Sequence, residues 1–118
     1  MQKLNLSIAP YAEVPNAKIV YFDGDFDGYA EDTIASIQAE VDSSLPGAVL
    51  IFEFSKLNYL NSFAIGQLVA WHNAISAKQG KILIVAINKN VQDIFSVLGI
   101  GTVFKTYVDL EELKKDQH

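Results

Sequence analysis

The stretch Val49-Leu50-Ile51-Phe52-Glu53-Phe54, then Ser55 to Leu60, then Asn61-Ser62-Phe63-Ala64-Ile65-Gly66 decides the fold. Its first six residues are almost all apolar, β-branched or aromatic, the composition of a strand buried on both faces. Ser55 to Leu60 reads as a short connector. Beyond it Ile65, Leu68, Val69, His72 and Ile75 recur at helical spacing. Ser62 therefore falls where a loop becomes the first turn of a helix. Serine is a favoured helix N-cap there. Backbone N–H groups are also free, and the helix dipole favours negative charge, so a phosphate on Ser62 would be stabilised.

Working outward, Leu4, Leu6 and Ile8 alternate as in a half-buried strand, and Pro10 to Asn16 is a turn. Ala17 to Asp23 is a second strand, antiparallel to the first. A helix from about Tyr29 carries Ile34, Ile37, Val41 and Leu45 on one face and ends at Pro46-Gly47. The helix after Ser62 runs to about Lys78 and stops at Gly80. Lys81 to Ile87 is the fourth strand. Val91, Ile94, Phe95 and Leu98 mark a third helix, capped by Asn88 and stopped at Gly99. Val103 to Val108 is a short fifth strand. Asp109, with Glu112 three residues on, is a capping-box-like start for a last helix. This alternation predicts one α/β domain over residues 1–118: a four- to five-stranded, mostly parallel sheet with an antiparallel edge strand, covered by about four helices.

The 118 residues allow one core, and half of them are hydrophobic, which argues against disorder. No apolar run approaches the ~20 residues that span a bilayer, and the first residues lack a signal-peptide pattern. Without cysteine there is no disulfide or thiolate metal site. Cytoplasmic residence is the expectation. The net charge is −5, and all nine basic residues are lysine. A basic face and arginine, the usual means of direct nucleic-acid recognition, are both missing. Asp23, Asp25, Asp27, Glu31 and Asp32 form a local acidic run, either a solvated face or a patch for a basic partner.

The Glu53-to-Gly66 stretch resembles the STAS family, the fold of bacterial anti-sigma factor antagonists. There a strand is followed by Asp-Leu-Ser, an aliphatic residue and Asp-Ser-Ser-Gly-Leu-Gly. Here Glu53-Phe54-Ser55, Leu57, Leu60 and Asn61-Ser62-Phe63-Ala64-Ile65-Gly66 stand in those places. Gly24-Asp25-Phe26-Asp27 is similar to the Gly-Glu-Leu-Asp ending the family's second strand. Val91 to Phe104 with Gly99-Ile100 is similar to its third helix and the Gly-Leu after it, and Asp109-Leu110-Glu111-Glu112 to the start of its last helix. Asn61 replaces an aspartate, Phe63 a serine and Ala64 a glycine. The resemblance implies a non-enzymatic regulator without a cofactor. It would bind an anti-sigma factor or serine kinase of the partner-switching type, as a monomer or weak dimer, and be controlled by phosphorylation of Ser62. Asp25, Asp27, Asn61, Ser62 and Phe63 are the implied contact residues. The three departures leave a second reading open, a small-molecule or nucleotide-binding sensor using the crevice above the third strand.

Other motifs carry less. Asp23-Gly24-Asp25-Phe26-Asp27-Gly28 matches the opening of a calcium loop, but Ile34 occupies the position that needs a bidentate glutamate, and a strand precedes it. Asp27 before Gly28 also suits a plain turn. His72 lies on an apolar helix face and reads as hydrogen-bonded and semi-buried. The only other histidine is His118, so no histidine metal cluster or triad is expected. Trp71 lies off the Ile65-Leu68-His72 face and is expected to be partly exposed. With Tyr59 and Phe63 it is a candidate interface aromatic, or simply packs under loops. No phosphate-binding Gly-Lys-Ser/Thr loop is present, and Gly99-Ile100-Gly101 follows a helix where a dinucleotide site needs a strand.

Overall fold

In the computed structural model, which describes residues 3–99 and 103–117, five strands form one sheet in the order β1-β2-β3-β4-β5. The strands are β1 (Asn5–Pro10), β2 (Ala17–Phe26), β3 (Val49–Leu60), β4 (Lys81–Val85) and β5 (Lys105–Tyr107). The helices are α1 (Glu31–Ser43), α2 (Ser62–Ser76), α3 (Lys89–Val97) and α4 (Leu110–Asp116). β1 pairs antiparallel with β2, and every later pairing is parallel. Because spatial order follows chain order, crossovers of one hand lay α1, α2 and α3 on the same face.

That face holds the larger core, built on Phe22, Phe26, Phe52, Phe54, Leu68 and Trp71. The opposite face is covered at one end by α4 and the β1–β2 loop, which bury Ile19, Ile51, Val85 and Tyr107 with Val14 and Leu113. The predicted architecture therefore holds, with local differences. Ser55 to Leu60 is not a connector but the second half of β3. Trp71 is buried at 1 % exposure, not partly exposed. It stacks on Phe26 at 5.9 Å, meets Phe52 edge-on at 6.2 Å, and donates its indole N–H to Gln38 Oε1 of α1 at 2.9 Å. α2 is wedged between the sheet and α1, so its apolar face is wider than a single stripe. Leu45 is not on the α1 face: the chain turns extended at Ser44, leaving Leu45 78 % exposed.

Two tight points fix the helix ends. Lys78 Nζ donates to the carbonyls of Val41, Asp42 and Ser44, satisfying the C-terminus of α1. At Gly80 a Cβ would lie 2.4 Å from the Ala48 carbonyl oxygen, so only glycine lets these backbones approach. The fifth strand is shorter than Val103 to Val108. Ile100 and Gly101 of the glycine motif, and His118, lie outside the described residues.

Candidate functional site

β3 is what positions the site. It pairs with β4 only as far as Glu53, opposite Val85, and from there runs on beside β2 alone. Two register shifts accommodate this. Tyr21 and Asp23 face Glu53 and Lys56, and Gly24 and Asp25 face Leu57 and Tyr59, so β3 carries one extra residue at each step. These bulges explain why Phe54, Leu57 and Leu60 are buried at intervals of three, with Ser55-Lys56 and Asn58-Tyr59 exposed between them. Where β4 has ended, side chains occupy the free edge. Asn88 Nδ2 donates to the Leu57 carbonyl at 2.7 Å while Asn88 Oδ1 caps α3 through the Val91 N–H at 2.9 Å. The Glu53 carboxylate accepts from the Ser55 N–H and hydroxyl at 2.6 and 3.0 Å.

The strand delivers its end to Asn61, and Asn61, not Ser62, caps α2. Its Oδ1 accepts the Ala64 N–H at 3.0 Å, and its own carbonyl accepts the Ile65 N–H at 3.0 Å. Asn61 also reaches the neighbouring strand end. Its backbone N–H donates to the Phe26 carbonyl at 3.3 Å, and its Nδ2 to the Asp27 carbonyl at 3.0 Å. The last bond needs an amide, because a carboxylate has no hydrogen to donate. Asparagine and serine rank together as caps, so residue type alone did not separate Asn61 from Ser62.

Ser62 is the first helical residue, and its side chain is exposed. Its hydroxyl makes no hydrogen bond among the described residues, and the N–H groups of Ser62 and Phe63 have no intrahelical acceptor. Phe63, 46 % exposed, lays its ring over Gly28, where a Cβ would sit 2.9 Å from Phe63 Cδ2. Gly28 has φ +96°, a conformation natural to glycine. The turn before it is made by Asp27, whose carboxylate accepts the Tyr29 N–H at 3.1 Å. Tyr29 and Tyr59 are 86 % and 46 % exposed.

Asp27, Asn61, Ser62 and Phe63 thus share one corner, at the carboxyl ends of β2 and β3. Asp25 does not join them: it alternates with buried Gly24 and Phe26 inside β2, so its side chain lies on the opposite face of the sheet. Gly28, read in the sequence only as part of a turn or calcium-like loop, belongs to the corner, and so does Tyr29, read there only as the approximate start of the first helix. His72 lies elsewhere, edge-on to Phe104 at 5.3 Å, and its buried Nδ1 has no hydrogen-bond partner among the described residues, unlike the hydrogen-bonded histidine expected. Among the described residues no group of three or more His, Cys, Asp or Glu is placed to hold a metal ion, and no helix is long and apolar enough to cross a membrane.

The family model of the STAS domain matches residues 9–113. The chain belongs to the STAS domain family. Several solved structures share its fold at low identity. An anti-sigma factor antagonist from Mycobacterium paratuberculosis is 19 % identical, with a TM-score of 0.80 over 98 % of this chain and 94 % of that one. A STAS domain protein from Planctomyces limnophilus is 15 % identical, with a TM-score of 0.80 over 95 % and 97 %. The Bacillus cell fate determinant SpoIIAA in its phosphorylated form is 16 % identical, with a TM-score of 0.66 over 97 % and 99 %. No curated protein sequence matches the chain.

Proposed function

We propose that this STAS domain is a non-enzymatic anti-sigma factor antagonist that binds a kinase-type anti-sigma factor and is released by phosphorylation of Ser62. The observation that carries this is the state of Ser62: exposed, free of side-chain hydrogen bonds among the described residues and first in α2, where two N–H groups have no intrahelical acceptor, with the half-exposed Phe63 next to it. A kinase can reach such a hydroxyl without unfolding the helix, because Asn61 holds the cap. Exposed aromatics of this kind anchor protein contacts. The Asp27 carboxylate adds acidic character to the corner, and the chain has no arginine to offset it.

Phosphorylation would add a charge of about −1.5 to −2 at the middle of that surface. Charge misplaced in a contact weakens it without any change of fold. The Phe63 ring lies over Gly28 and is half-exposed, an aromatic surface at this corner that supports partner contact over the sensor reading. Partner binding is therefore the better reading of this corner.

The test is co-purification from the native cell with mass spectrometry, followed by calorimetry on the recovered partner. A serine kinase should co-purify, and phosphate should be found on Ser62. Ser62→Asp should weaken binding by about tenfold or more, corresponding to ~1.4 kcal/mol, and Ser62→Ala should leave it intact. Wild-type affinity in Ser62→Asp would rule the switch out.

A further inference from the structure

At the end of the sheet farthest from Ser62, the β1–β2 loop and the α1–β3 connection line a half-open pocket of about 590 Å³. Its volume falls within the roughly 300–1,000 Å³ of small-molecule sites. Val14, Val49 and Leu50, all buried, form its floor. Pro10, Pro15 and Pro46 stand around it, and proline's fixed φ keeps such walls in place without a ligand. Leu45, left 78 % exposed by the extended turn at Ser44, sits at the mouth, where a bound molecule would cover it.

Several polar groups of the lining are already engaged, and the Asn16 carboxamide is left to meet a ligand. Lys18 Nζ meets Glu40 Oε2 at 2.8 Å. The hydroxyls of Ser43 and Ser44 donate to the Glu40 carbonyl at 3.4 and 2.6 Å. The Tyr11 hydroxyl donates to Glu13 at 3.2 Å. Lys18 and Glu40 are the charged side chains of the lining and pair with each other, so a charged ligand finds no unpaired opposite charge there. An uncharged one gains the apolar contact and leaves the pair in place.

We propose that this pocket binds a small uncharged molecule of mainly apolar surface, a ring system with one or two hydrogen-bonding groups. The site is separate from the Ser62 corner and independent of the function proposed for it.

The test uses three probes with one ring system and different charge: indole, tryptamine and indole-3-acetate. Each is titrated into the ¹⁵N-labelled full chain and followed through its amide resonances. Indole should give saturable shifts at Val14, Lys18, Leu45 and Ala48, and the two charged probes should bind roughly tenfold or more weakly. Ser43→Trp, which places a large ring at the mouth, should abolish the indole shifts, and Leu45→Ala should weaken them several-fold. Should Ser43→Trp fail to fold, Leu45→Ala alone decides. The proposal is overturned if indole gives no saturable shifts at these amides, if either charged probe binds more tightly than indole, or if the deciding variant binds as wild type.

Discussion

Exchanging Asn61 and Ser62 one at a time distinguishes the residue that builds the corner from the residue that regulates it. Asn61→Ala removes the cap on the Ala64 N–H and the bond to the Asp27 carbonyl. The cap is worth about 1 kcal/mol and the second bond about another 1 kcal/mol. A loss near 2 kcal/mol should lower the melting temperature by about 8 °C in a domain of this size. Asn61→Asp keeps an oxygen to cap with and gains about 0.3–1 kcal/mol from the helix dipole. It cannot donate to Asp27, so its net cost should stay within about 1 kcal/mol. Ser62→Ala breaks no side-chain bond and places alanine at an exposed helical position, so its effect should be within about 0.5 kcal/mol. Urea unfolding read by circular dichroism gives all three values, with an unchanged m-value as the sign that only stability has moved. Ser62→Ala costing more than about 1 kcal/mol, with Asn61→Ala nearly silent, would make Ser62 the cap after all. The Ser62 variants in the binding test would then report folding as well as charge.

Gly28→Ala should destabilise by about 1–2 kcal/mol from its positive φ alone, with an additional loss from the Phe63 contact. In a double-mutant cycle Phe63→Ala should relieve the contact part and not the backbone part, and strict additivity would show that the ring does not press on Gly28. Trp71→Phe should cost about 1–3 kcal/mol by the space it leaves in the fully buried contact with Phe26, Phe52 and α1, and unchanged thermal stability would contradict this. The Asp116 carboxyl is held below its ordinary 3.8 chiefly by the hydrogen bond from Lys105, then by that from Tyr107. A depressed folded pKa means that its stabilisation is complete above the unfolded value and lost as pH falls through the folded one. Between pH 7 and about 5 this group should contribute no change, and below about 4 its contribution should fall away. Asp116→Asn should remove that part of the acid limb, seen as a smaller drop in melting temperature on acidification.

The layout of the fold was legible because each crossover helix and each buried strand carries its own period. The errors fall where one rule overrides another. In β3 the two bulges turn a period of two into an interval of three at Phe54, Leu57 and Leu60, so a strand looks like a connector. Trp71 was misplaced because α2 buries more than one stripe, with Ala64, Ile65, Leu68, Trp71 and Ile75 all inside. Leu45 keeps helical spacing with Val41, but Ser44 has already left the helix. At the site the deciding detail was one residue wide: Asn61 and Ser62 are equally good caps, and only the reach of Asn61 Nδ2 to the Asp27 carbonyl favours the first. Phe63's contact with Gly28 depends on two segments 35 residues apart meeting at one corner, which no local pattern records.

The three positions at which the chain departs from the family pattern form one connected set. Asn61 in place of aspartate caps the Ala64 N–H and ties the Asp27 carbonyl to α2. Ala64 in place of glycine is fully buried beneath that cap. Phe63 in place of serine closes over Gly28, one residue beyond the carbonyl that Asn61 holds. The loop from Asp27 to Tyr29 is therefore pinned to the first turn of α2 by a hydrogen bond on one side and a ring on the other. A surface held in this way loses less conformational freedom when a partner docks, so more of the contact energy appears as affinity. The same exchange removes the carboxylate next to Ser62. Phosphate there would meet less local repulsion in the free protein. Its charge would then act mainly against the partner, which is where a switch of this kind has to act.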